Sequence, residues 1–412
     1  MLTRNLHVSE NETAKMNRRD FLSRAASVTV FAPMLGKAAS STSHRGAIYP
    51  PDEKFMTQLP YLMDVAWLPG IGIGVVQQGK PAWQHYAGFA NVKTKTPITA
   101  DSLFTGASCG KPIFACLVLK MAQDETIDLD QPLNQYLQDD MLTGQWGDKV
   151  TPRHVLSHST GLPNWRGDGS EKLTPAFEPG SRFQYSGEGY FHLQRVVERI
   201  TGIGFEALMQ EKIFKPLGMT SSTYLWLADA DERYVAGHNG PNPMYNREMP
   251  KMVFELIKSS GKPPSFWTYE QIADALKAKT QKPVPSPSNF SPNVAFSLLT
   301  TVPDYTRFLA ALVDPDNKVL GLSPATRRAM RTPVCKVNGA LAWGLGIGIE
   351  EVQGQHYLWQ WGDNGGWKNF ILVHPPSRTA IASFSNGNNG AKVNERLIDA
   401  ATDIQHPVFL WI

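Results

Sequence analysis

The spacing of apolar positions changes period along the chain. Between 51 and 67 they fall at Phe55, Leu59, Leu62, Met63 and Ala66, which predicts a helix with one buried face, stopped by Pro69-Gly70. Two runs with strand character follow, Ile71–Gln77 and Ala82–Phe89, and Gln78-Gly79-Lys80 between them reads as a hairpin turn. A long middle region returns to helical spacing, with helices expected over Pro112–Gln123, Thr151–Leu156, Gly189–Thr201 and Phe205–Phe214. Residues 239–292 are rich in Pro, Asn, Ser and Lys and read as a lid-like insert with short helices near Lys251–Ser259 and Tyr269–Lys279. After another helix over 303–313, strands resume at Gly344–Val352, His356–Gln360, Phe370–His374 and Thr379–Ser385, and a final helix covers about Lys392–Ile404.

Strands therefore occupy both ends and helices the middle. This order predicts an α+β fold (an α/β sandwich): one antiparallel sheet built from both termini, flanked by helices, with a mostly helical lobe over about 101–300 inserted into it. The domain spans 40–405, with 406–412 as a tail. A cleft is expected where sheet and lobe meet. The apolar end Phe409-Leu410-Trp411-Ile412 is expected to pack on the sheet.

Charge changes the picture by its location. The 412 residues carry 40 Lys+Arg and 37 Asp+Glu, a formal charge of +3. Residues 1–39 hold six basic and three acidic side chains, so the remainder holds 34 of each sign. A domain that binds nucleic acid needs a basic stripe, and 40–412 has none. The excess sits in 1–39, where Asn17-Arg18-Arg19-Asp20-Phe21-Leu22 resembles the twin-arginine export signal of bacteria. The apolar stretch from Ala25 to Gly36 is too short to span a membrane, and small residues at Ala38, Ala39, Ser40 and Ser41 suit a signal peptidase, with cleavage near Ala39. Met16 is an alternative start. A periplasmic or otherwise exported protein is expected, with no stable membrane insertion once the signal is removed; left in place, the signal would be an anchor. Cys109, Cys116 and Cys335 form no framework, and Cys109 and Cys116, seven residues apart on one helix, are about 10 Å apart in rise. All three read as free, with pairing of Cys335 left open.

Candidate chemistry begins at Thr105-Gly106-Ala107-Ser108-Cys109-Gly110-Lys111-Pro112. A helix starting near Ser108 puts Lys111 one turn on and on the same face, within reach of the hydroxyl. Pro112 is harmless in a first turn. A serine hydroxyl needs a base beside it, and a lysine kept neutral by burial and by the helix N-terminus supplies one. Ser259–Lys262 repeats the spacing, and we read it as a decoy loop before Pro263-Pro264. Gly106–Gly110 also fits Gly-x-Ser-x-Gly, but the chain lacks the βα alternation of an α/β-hydrolase.

Two further segments make the resemblance specific: Pro179-Gly180-Ser181-Arg182-Phe183-Gln184-Tyr185-Ser186-Gly187-Glu188 before a helix, and Trp359-Gln360-Trp361-Gly362-Asp363-Asn364-Gly365-Gly366-Trp367 leaving a strand. With Leu68-Pro69-Gly70, Asp101-Ser102-Leu103-Phe104, Thr151–Pro163 and Lys215-Pro216-Leu217-Gly218-Met219, the chain resembles the serine β-lactamase-like superfamily of class C β-lactamases, DD-peptidases and related esterases over nearly all of 51–405. The resemblance implies the fold inferred above. It also implies that Ser108 is the nucleophile, Lys111 its base, Tyr185 a proton shuttle to the leaving group, and the backbone N–H groups of Ser108 and Asp363 an oxyanion hole, each donor contributing about 3 kcal/mol.

Two departures stand out. The tyrosine motif usually reads Tyr-x-Asn, and Gly187 replaces the asparagine that would touch an acylamino group. The third motif usually opens on Lys or His, and Gln360-Trp361-Gly362 replaces it, leaving an uncharged side chain beside the tyrosine. Both weaken recognition of an anionic peptide or β-lactam and leave nucleophile and base in place; Arg182 or Lys368 is available as a substitute cation. His154 and His158 lack the His-Glu-x-x-His pattern and read as structural, so no metal and no cofactor are expected. Trp343, Trp359, Trp361 and Trp367 read as core near the third motif, or else as an apolar acyl subsite. The expected activity is an exported serine hydrolase acting on a small-molecule ester, or on an amide or peptide, through an acyl-serine. Its rivals are a DD-carboxypeptidase or weak β-lactamase, and a non-catalytic penicillin-binding or sensing protein.

Overall fold

The computed structural model describes residues 28–29, 46–139, 141–166, 172–244, 247–281 and 292–412. Strand β1 (Gly70–Gln77) alternates glycine with Ile71, Ile73 and Val75. The branched side chains are buried on one sheet face beneath helix α1 (Glu53–Val65). The glycines let a helix approach the other face: a Cβ on Gly72 would stand 2.7 Å from Val302, and one on Gly74 would collide with Thr306. Gln78 and Gly79 both have positive φ (52° and 74°), the pattern of a tight primed turn, and lead into β2 (Lys80–Asn91).

The remaining strands come from the far end of the chain: β3 (Leu341–Trp343), β4 (Gly348–Val352), β5 (Gln355–Asp363), β6 (Lys368–His374) and β7 (Thr379–Ser385). The order is β2-β1-β7-β6-β5-β4-β3, every pair antiparallel. The two ends of the sequence meet in the pairing of β1 with β7, from Ile71↔Ser385 to Val76↔Ala380. Val28–Thr29 pairs outside β2, and Cys335–Lys336 outside β3. The remainder of the expected export signal, 1–39, lies outside the described residues, as does 282–291 of the expected lid.

Between the two sets of strands run α2 (Gly110–Gln123), α3 (Gly187–Thr201), α4 (Glu248–Ser260), α5 (Tyr269–Thr280) and α6 (Val302–Val313); α7 (Gly390–Thr402) follows the last strand. Apolar residues of α7 join those of α1 on one face of the sheet, and α6 lies on the other. α2 is buried around almost its whole circumference, which makes it the axis of the helical lobe. In the 239–292 region, α4 and α5 share a small core with Phe191, Leu225 and Trp267.

The fold is the α+β arrangement expected, with local corrections. The run Gly344–Val352 is not one strand: Gly346 takes φ +93°, donates its N–H to Leu156 O at 2.9 Å, and separates β3 from β4. The Phe205–Phe214 helix is α-helical to Met209 and then widens into a π-turn over Gln210–Phe214. Ser259 is in the last turn of α4 and not in a loop; its hydroxyl donates to Leu256 O (3.0 Å), while Lys262 lies over the Phe266 ring (4.1 Å). All three cysteines are free and buried. The chain end packs as expected, with Phe409 on Phe370 and Trp411 on Trp359 and Trp361, while Leu410 points into solvent. Glu350, fully buried, fixes this end by accepting from Val408 N–H (2.8 Å) and pairing with His406 (2.7 Å). Among the described residues no helix is long and apolar enough to cross a membrane.

Candidate active site

Ser108 lies in a 3-10 turn, Ala107–Cys109, that runs directly into α2. Ala107 is held at φ 49°, a conformation that costs a residue with a Cβ about 1 kcal/mol or more. The surroundings enforce it. Gly106 N–H donates to Leu298 O (2.7 Å), Tyr305 donates to Cys109 O (2.8 Å), and Tyr224 donates to Gly110 O (3.1 Å). Three chain segments thus fix the turn before any substrate arrives.

Lys111, 1% exposed, sits where the helical spacing requires. Its Nζ is 2.8 Å from Ser108 Oγ and 3.2 Å from Ala295 O. Among the described residues no carboxylate pairs with it, and the nearest rings are those of Tyr185 (5.0 Å) and Tyr190 (5.6 Å). Burial disfavours the ammonium and draws the pKa from 10.5 down to about 7. Tyr185 completes the group, its hydroxyl accepting from Gln360 Nε2 at 3.3 Å and near enough to Ser108 for that hydroxyl to favour the ionised phenol. Burial pushes its phenol above the usual value, and Ser108 and Gln360 only partly offset this. The two titratable groups are therefore driven apart, leaving an amine with a large neutral fraction near pH 7 beside a phenol that keeps its proton.

The third motif reaches this group through Gly362. A Cβ there would collide with Gly106 O and stand 3.1 Å from Cys109 Sγ, so glycine allows β5 to lie against the Ser108 turn. Asp363 follows, opposite Lys368 in register. Its carboxylate pairs with Lys368 (2.5 Å) and accepts from Gly365 N–H (2.8 Å), so the side chain is committed to these partners. Gln360 is fully buried, and Trp361 packs its ring 4.6 Å from that of Tyr185. Gly187 opens α3 with Trp165 against it. Neither candidate cation replaces the missing charge: Lys368 is held by Asp363, and Arg182 stacks on Phe177 (4.3 Å).

Other groups were not legible in the motifs. His158, read as structural, stacks on Tyr185 at 4.0 Å and accepts the Ser186 N–H on Nδ1 (3.0 Å). Burial, then the Lys111 charge, hold it well below its usual pKa, so it is neutral and positions the phenol. His154 serves a capping box with Thr151. Trp343, Trp359 and Trp361 form one cluster with Trp411, but Trp367 packs elsewhere, with Tyr234 and Trp226, and donates to Val235 O (2.9 Å). Its neighbours line a small pocket of about 20 Å³, room for about one water, with Tyr224, Phe296 and Asn364. Phe296 and Asn364 directly follow Ala295 and Asp363 and are bonded to each other (3.1 Å). No cluster of three or more potential metal ligands occurs among the described residues.

An unguisins hydrolase, ungD', of Aspergillus campestris is 26% identical over 393 residues, covering 86% of this chain and 66% of that protein. Esterase EstB of Burkholderia gladioli is 29% identical over 204 residues, 42% of this chain and 52% of the esterase. The chain therefore spans no more than about two thirds of either relative. An octameric penicillin-binding protein homologue from Pyrococcus abyssi shares the fold, with a TM-score of 0.65 at 20% identity, covering 87% of this chain and 79% of that one. Residues 59–405 match the beta-lactamase family, and the chain belongs to it.

Proposed function

We propose that the protein is an exported serine hydrolase that cleaves esters through an acyl-Ser108 intermediate. What carries the reading is the pair formed by Ser108 Oγ and a buried Lys111 Nζ at 2.8 Å, with a pKa of about 7 on the amine. Ser108 attacks the ester carbonyl as Lys111 takes its proton. The oxyanion forms between the backbone N–H groups of Ser108 and Asp363, where fixed donors need no reorganisation. Collapse expels the alcohol, which receives a proton through Tyr185, and water then releases the acid with the same groups acting in reverse.

Esters are favoured over anionic peptides because neither candidate cation is free to bind an anion: Gln360 is neutral, Lys368 is paired and Arg182 is stacked. Export rests on Arg18-Arg19 and the apolar stretch after it. Hydrolysis of short-chain p-nitrophenyl esters by the protein and by Ser108→Ala tests the reading. Equal rates refute it, and a long-lived penicillin adduct at Ser108 with no ester turnover favours a penicillin-binding role instead.

A further inference from the structure

Gly187 is two residues from Tyr185 and one turn from Tyr190, so Gly187 and Tyr190 share a face of α3. The Tyr190 ring lies 5.6 Å from Lys111 Nζ and 5.0 Å from the His158 ring, so this face looks onto the reactive group. No side chain projects from Gly187, yet the volume is not empty. A Cβ there would stand 2.6 Å from Cζ2 and 2.7 Å from Cη2 of Trp165.

The indole is held by the residues on either side of it. Asn164 accepts the Gly187 N–H on both its backbone oxygen (3.1 Å) and Oδ1 (2.9 Å), and the Glu188 N–H on its backbone oxygen (3.0 Å). Arg166 grips the buried Glu188 carboxylate through Nη2 (2.8 Å) and Nε (3.0 Å). Trp165 itself remains partly exposed.

We propose that Trp165 sets the acyl specificity of this hydrolase, its indole forming the acyl-side wall and selecting a flat apolar acyl group without an α-acylamino substituent. The proposal rests on Ser108 being acylated. A phenyl or alkyl group buries apolar surface against the ring. An acylamino group placed there loses water and meets a ring face with no matching donor or acceptor.

The test compares kcat/KM for p-nitrophenyl acetate, p-nitrophenyl phenylacetate and the p-nitrophenyl ester of N-acetylglycine. In Trp165→Ala the phenylacetate-to-acetate ratio falls about tenfold, the size expected for a lost apolar contact in a pocket. In Trp165→Phe it stays within about twofold of wild type, since a flat ring remains. In the Trp165→Ala/Gly187→Asn double variant the ratio of N-acetylglycyl to phenylacetyl ester rises at least about tenfold. An unchanged phenylacetate-to-acetate ratio in Trp165→Ala, or equal losses on all three esters, overturns the proposal. Failure of the underlying reading looks different: wild type hydrolyses none of the esters, or Ser108→Ala matches it.

Discussion

Replacing Lys111 by methionine is expected to make the protein more stable and inactive. The lysine is 1% exposed and its pKa falls from 10.5 to about 7 on folding, which corresponds to about 4 to 5 kcal/mol of folding free energy lost at pH 7. Methionine fills a similar volume without a charge, and the loss of the bond to Ala295 O returns about 1 to 2 kcal/mol of that gain. A net stabilisation of about 3 kcal/mol follows, with ester hydrolysis reduced about 10²- to 10⁴-fold through loss of the base. The pH dependence has a definite sign. Between pH 7 and 10.5 the unfolded lysine binds a proton that the folded one has released, so wild-type stability rises with pH across this window. The advantage of Lys111→Met is largest at or below pH 7 and fades towards 10.5. Urea unfolding of both proteins at pH 6, 7, 9 and 10.5 measures it. A variant less stable than wild type at pH 7, or a stability gap that does not narrow as pH rises, refutes the reasoning.

The same amine sets the rate profile: kcat/KM for a neutral ester climbs about tenfold per pH unit below 7 and levels off above, and a profile flat from pH 5 to 8 excludes Lys111 as the base. Gly362→Ala forces β5 off the nucleophile turn, and ester hydrolysis is expected to fall about 100-fold or more while circular dichroism stays native; full activity would show that the contact with Gly106 O does not set the oxyanion geometry. Arg166→Ala strands the buried Glu188 carboxylate and is expected to cost about 3 to 5 kcal/mol in chemical unfolding, against under about 1 kcal/mol for removing an exposed partner such as Lys149 of the Lys149–Glu178 pair. Arg18→Lys/Arg19→Lys is expected to leave active protein in the cytoplasm on cell fractionation, and unaltered export would exclude the twin-arginine route.

What the sequence disclosed divides along a physical line. Local periodicity found β1, the hairpin turn and α6, because alternation and helical spacing are written within a few residues of each other. The Ser108–Lys111 pair was legible for the same reason, since one helical turn joins them. Contacts closed by the tertiary fold were not. Gly187 read only as a lost asparagine; that Trp165, 22 positions earlier, occupies the space depends on the course of the chain between them. His158 read, with His154, as structural because its stacking on Tyr185 spans 27 positions. The spacing groups Trp367 with its neighbours, but the bend after Asp363 carries it to Tyr234 and Val235.

The pairing of β1 with β7 makes the central strands of the sheet neighbours across more than 300 positions of chain. Closing a loop of that length costs about 5 kcal/mol in chain entropy before the first cross-strand bond forms. Such high contact order predicts a slow folding step at this seam, after the helical lobe has collapsed. The cost belongs to connectivity alone, because Tyr49 N–H already donates to Ala401 O (2.9 Å) where the two ends run side by side. A circular permutant joined there and opened in an exposed loop of the lobe would turn the pairing of β1 with β7 into a nearby one, and would fold faster with the Ser108–Lys111 pair unchanged.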